Sequence, residues 1–93
     1  MSYEYKISII NETEINEVIK NIYKAFRKTE LLKNVQFEDG IIKVPDFWMN
    51  LCEEDSREIY YSINASGKDR AEVVKTISNV LTRMKLEFVY EEE

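Results

Sequence analysis

Residues 35–65, VQFEDGIIKVPDFWMNLCEEDSREIYYSINA, decide the fold. Asp39-Gly40 separates two short runs, residues 35–38 and 41–44, that are rich in apolar and β-branched side chains. That dipeptide favours a two-residue hairpin, because both central positions need left-handed backbone. Pro45 closes the second run, since proline has no N–H to give to a ladder. Residues 47–53 can be read in two ways. They form either one helical turn or a strand that alternates Phe47, Met49 and Leu51 against Trp48, Asn50 and Cys52. The strand is the preferred reading, because residues 59–65 follow as a strong strand just past the polar run 53–57, and together they make a second hairpin.

Working outward, residues 3–10 alternate Tyr3, Tyr5, Ile7 and Ile9 against Glu4, Lys6 and Ser8, the period of a half-buried strand. Asn11 offers a helix cap with Glu14 as its capping-box partner, and Ile15, Val18, Ile19, Ile22 and Phe26 recur at helical spacing to about Thr29. Ser66 caps a second helix at the amide of Asp69, with Val73, Val74, Ile77, Val80, Leu81 and Met84 as its apolar stripe. Residues 86–90 alternate as a last strand, and Glu91, Glu92 and Glu93 read as a frayed, solvated tail.

The order is strand, helix, strand meander, helix, strand. Two amphipathic helices need one sheet face to bury against. The expected class is therefore α+β, a ferredoxin-like sandwich formed by one domain over residues 1–93. It has an antiparallel sheet, two helices on one side and an extra hairpin, and the other sheet face stays open.

Composition narrows the function classes. With 93 residues, 44% hydrophobic and only 2 glycines and 1 proline, the chain suits one compact domain. The sole cysteine, Cys52, excludes an internal disulfide. No apolar run spans a bilayer and no signal-peptide pattern opens the sequence, so the expectation is a cytoplasmic protein with no membrane partner. A net charge of −5 argues against direct nucleic-acid binding. The absence of histidine removes the commonest general base and the Ser-His and Cys-His triads. No phosphate-cradling glycine loop and no calcium-loop spacing are present, so neither cofactor nor metal is expected.

Enzymes that use comparable sandwiches fail on particular residues. Acylphosphatases hold phosphate with an arginine in a glycine-bearing loop after the first strand, where this chain has Asn11-Glu12-Thr13-Glu14. RNA-recognition domains need a basic, aromatic strand, where residues 58–63 read EIYYSI. The expectation is a non-enzymatic module.

Charge is unevenly laid out. Residues 46–58 carry Asp46, Glu53, Glu54, Asp55 and Glu58 against Arg57, and residues 86–93 carry Glu87, Glu91, Glu92 and Glu93 unopposed. The rest of the chain is net positive. Threaded through the expected fold, the tip of the second hairpin shares one end of the molecule with Glu12 and Glu14 at the start of the first helix. The leading expectation is an inhibitor, immunity-type or adaptor protein that docks a basic surface of a partner protein. Its contacts would be Glu53, Glu54, Asp55, Glu58, Glu12 and Glu14, with Trp48 as an apolar anchor. The alternative is a homodimeric regulatory domain paired through its open face, at Lys6, Ser8, Tyr60, Ser62, Asn64 and Val89, with a small effector bound at the seam.

Overall fold

A computed structural model describes residues 2–93. Six strands and two main helices follow one another along the chain. They are β1 (Tyr3–Ile9), α1 (Ile15–Arg27), β2 (Gln36–Glu38), β3 (Ile41–Val44), β4 (Met49–Asp55), β5 (Glu58–Ile63), α2 (Gly67–Arg83) and β6 (Phe88–Glu92). Short 3-10 turns at Glu30–Leu32 and Pro45–Phe47 fill the connections. The strands form one sheet in the order β2-β3-β4-β5-β1-β6, with every neighbouring pair antiparallel. The protein is thus a small α+β domain, and its six-strand order differs from that of a four-stranded ferredoxin-like sheet.

Strand alternation sorts the side chains as the sequence implies. Tyr5, Ile7 and Ile9 of β1, Ile42 and Val44 of β3, Met49 and Leu51 of β4, and Ile59, Tyr61 and Ile63 of β5 are buried. They meet Ile15, Val18, Ile19, Ile22 and Phe26 of α1 and Val73, Ile77, Val80 and Leu81 of α2 in a single core. No charged or polar residue is buried among the described residues. The intervening strand positions face away from the helices and are half-buried or exposed.

Asp39 and Gly40 adopt φ values of 53° and 76°, the left-handed pair a tight hairpin needs. Ser66 Oγ accepts from the Asp69 amide at 3.2 Å, as a helix cap should. Two local readings are corrected. Asn11 does not cap α1: its Oδ1 accepts from the Glu87 N–H at 2.6 Å, which ties the β1–α1 loop to the approach of β6. The helix starts instead after Glu14, whose side chain makes no capping hydrogen bond.

The terminal glutamates are not frayed either. The last strand runs two residues beyond its expected end, to Glu92. Glu92 accepts from the Tyr5 hydroxyl at 3.3 Å and pairs with Arg70 at 3.7 Å, and the Glu93 N–H donates to the Glu4 carbonyl at 2.8 Å. Its late start has a cause as well. Lys85, at φ 60°, ends α2 in a left-handed turn that bonds the Leu86 N–H back to the Leu81 carbonyl and the Lys85 N–H to the Thr82 carbonyl.

Candidate functional site: the open sheet face and the acidic end

The β4–β5 hairpin closes on Ser56-Arg57, and its apex lies against the end of β1. The Ile9 N–H donates to the Arg57 carbonyl at 2.8 Å. The Arg57 guanidinium reaches the Ile10 carbonyl and Glu12 Oε1, both at 3.4 Å. Glu53 and Ser56 share a shallow depression with Thr13, Glu14, Ile15 and Asn16 at the start of α1. Hairpin apex and helix opening therefore occupy one end of the molecule, and Arg57 sits between them, opposing part of the charge.

The apex carboxylates do not act as one cluster. The β4–β5 register shifts between Glu53 and Asp55, a bulge that turns successive side chains apart. Glu53 lies on the helix side, where carboxylates complement the partial positive charge of the α1 N-terminus. Asp55 folds back on its own turn and accepts the Arg57 N–H at 3.0 Å, which holds its carboxyl below the usual range. Glu54 is directed to the other side of the sheet, where its charge acts on Lys6, Cys52 and Tyr60.

On that open side the strands pair Lys6 with Tyr60 and with Glu91, Ser8 with Glu58 and with Val89, Glu4 with Ser62, and Cys52 with Tyr60. Lys6 bonds Glu58 at 3.3 Å, and the fields of Glu54 and Glu93 also reach it. Its ammonium pKa is raised, chiefly by the hydrogen bond to Glu58 and that residue's charge. The Tyr60 hydroxyl donates to Glu4, which pushes its pKa up to about 12. Partial burial, aided by Glu54, raises the Cys52 thiol. The face thus presents Glu4, Glu54, Glu58, Glu91 and Glu93 around Lys6, with Lys43 of β3 farther along the same side. The sequence hid this arrangement, because those five acids were spread over three groupings: Glu54 and Glu58 with the second hairpin, Glu91 and Glu93 with the tail, and Glu4 in the first strand.

Trp48 is placed differently from its expected role. It precedes β4, while Asp55 ends it, so at about 3.3 Å per residue the two are some ~20 Å apart. The indole is 77% exposed and is not ringed by the acidic tip. Its backbone is left-handed, with φ 49° and ψ 36°, an uncommon conformation for a bulky side chain. The turn is held by the Trp48 N–H to the Pro45 carbonyl at 3.1 Å and by the Asn64 N–H to the Phe47 carbonyl at 2.8 Å. Of the residues considered for self-pairing, Lys6, Ser8, Tyr60, Ser62 and Val89 do lie together on the open face, and Asn64 follows the end of β5.

Among the described residues no group of three or more metal-ligating side chains is brought together. Among the described residues no helix is long and apolar enough to cross a membrane. Comparison with protein-family models, curated proteins and solved structures returns no match.

Proposed function

We propose that the protein is a non-enzymatic binding module, of an inhibitor, immunity-type or adaptor kind, that docks a basic surface of a partner protein through its open sheet face. The observation that carries this reading is the gathering of Glu4, Glu54, Glu58, Glu91 and Glu93 around Lys6 on a rigid antiparallel surface. Like charges held this close repel one another, and a cationic partner relieves that repulsion while being steered toward the face. Glu53, Glu12 and Glu14 extend the same sign of field around the end of the molecule. In this reading the four strands β6-β1-β5-β4 and both helices make a ferredoxin-like unit, and the β2–β3 hairpin is an addition at its edge. Pairing of two copies through the same face is the weaker reading, because it would set glutamates against glutamates.

Three baits presented to a native lysate test the proposal: the wild type, a face variant carrying Glu54→Lys and Glu91→Lys, and a control of equal charge change carrying Glu72→Lys and Glu87→Lys. The expected result is a partner retained by the wild type and the control but lost by the face variant. That partner's contacts, mapped by amide chemical shifts, should center on β1, β5 and β6. Recovery of the same proteins by all three baits would refute the reading.

A further inference from the structure

The opposite side of the molecule carries the opposite charge in a more enclosed setting. Helices α1 and α2 pack antiparallel: Asn21 borders the same hollow as Met84, and Thr29 the same hollow as Thr76. Two open hollows of about 430 and 340 Å³ lie along their seam and share Ala25, Lys28 and Arg83, so they form one continuous groove. Lys24 and Lys28 stand on the α1 wall and Arg83 on the α2 wall. Asn79 and Thr82 supply neutral hydrogen-bonding groups between them, whereas the Thr29 and Thr76 hydroxyls and an Asn21 amide N–H donate to carbonyls of their own helices.

The absence of acid here is the informative point. The chain has 18 carboxylate side chains, yet none lines either hollow. Elsewhere Lys6, Lys20, Lys33, Arg57 and Arg70 each pair with a glutamate. Among the described residues Lys24, Lys28 and Arg83 have no such pairing, as Arg27, Lys43, Lys68, Lys75 and Lys85 have none, but of these cations only Lys24, Lys28 and Arg83 line the two hollows. Cations near the last turn of a helix do favour its dipole, which accounts for Lys24 and Lys28 on α1. Arg83, in the last turn of α2, is favoured by its own helix dipole in the same way, yet the three like charges share one groove with no acid between them and repel across it.

We infer that this groove is an anion-binding site for a compact, soluble polyanion carrying two or more phosphoryl groups. Cations on both walls can grip such a ligand from two sides. The guanidinium of Arg83 offers a planar fork to a phosphoryl group, and the lysines act as point charges. The floor offers only Ala25, Val80 and Met84 as apolar groups and no aromatic ring, which does not suit a ligand that needs base stacking. Among the described residues the three exposed large apolar side chains, Ile10, Trp48 and Val89, lie off both helices, so none of them stands beside the groove to enter acyl chains. A soluble source of phosphoryl groups is therefore favoured over a lipid headgroup. The groove and the acidic face lie on opposite sides of the sheet, so the two proposals stand independently.

Titration with sodium tripolyphosphate at constant ionic strength, followed by amide chemical shifts and calorimetry, tests the inference. Saturable shifts are expected at Lys28, Thr76, Asn79 and Arg83. Affinity should fall roughly tenfold or more in Lys24→Gln/Lys28→Gln/Arg83→Gln and stay unchanged in Lys43→Gln/Lys68→Gln, whose cations lie elsewhere. All five positions are on the surface, and matching thermal unfolding of the variants would exclude loss of fold. Three results overturn the site: no saturation, equal affinity in both variants, or identical shifts with sulfate alone. Sedimentation with phosphoinositide-bearing vesicles in the absence of tripolyphosphate binding would overturn the soluble ligand.

Discussion

Two sides of one sheet differ here as sharply as two proteins. Along β5, Ile59, Tyr61 and Ile63 are wholly buried against the helices, while Glu58, Tyr60 and Ser62 alternate onto the open face. The inner side is a continuous apolar core. The outer side is a field of carboxylates around Lys6. The difference teaches that core burial and surface charge are separated by a single step of the chain, so neighbouring substitutions should report on different properties.

The largest effect expected is on the inner side. Ile59→Ala removes a fully buried side chain and should cost about 2–5 kcal/mol, whereas Ser62→Ala, three residues along, should stay within roughly 0.5 kcal/mol. Urea unfolding of both variants measures the contrast. Equal losses would mean that the open face is packed against something in the free protein, and the division between the two sides would fail.

An intermediate effect concerns a cluster of tyrosine rings whose hydroxyls reach the edge of the core. Tyr5 and Tyr61 stack with ring centroids 5.0 Å apart, Tyr90 meets both edge-on, and the Tyr61 and Tyr90 hydroxyls bond each other. Either Tyr61→Phe or Tyr90→Phe strands a buried hydroxyl and should cost about 1–3 kcal/mol. The double variant should cost less than the sum of the two. Burial, the first cause for both, raises both phenols above their ordinary value near 10. A group whose pKa is higher in the folded than in the unfolded state supports stability that is whole below the unfolded value. That stability should therefore hold to about pH 10 and fall as the pH climbs further. Alkaline unfolding followed by circular dichroism reads this, and a flat profile above pH 10 would show that the phenols ionise without opening the core.

Much of this division was readable from the sequence, because strand period assigns faces whatever the order of the strands. The Asp39-Gly40 turn, the Ser66 cap and the apolar stripes of both helices were legible for the same reason: each is a local rule. What stayed hidden depends on partners far along the chain. Asn11 gives its side chain to Glu87, 76 residues away, and so is lost to the helix. Three glutamates carry no strand propensity, yet Tyr5 and Arg70 hold Glu92 in β6. The acidic apex was placed at the correct end, but a bulge divided its side chains between the two sides. Trp48 was close in sequence and remote in space, because an extended strand separates what a loop would bring together. The basic groove needed the pairing of α1 with α2, which no single helix reveals.

The smallest effect sharpens the outer side alone. Cys52 is half-buried on the open face, and desolvation, followed by the charge of Glu54, raises its thiol pKa. Only the thiolate attacks an alkylating reagent, so at pH 8 Cys52 should react more slowly with iodoacetamide than an unperturbed thiol. Glu54→Gln removes the nearby charge and leaves the burial, so the rate should rise a few-fold without reaching that of a free thiol. Raising the salt concentration should speed the wild type more than the variant, since screening acts on the charge and not on the burial. A rate that ignores Glu54→Gln would place that carboxylate away from the face. The ring of acids around Lys6 would then be one member smaller than the bulge geometry requires.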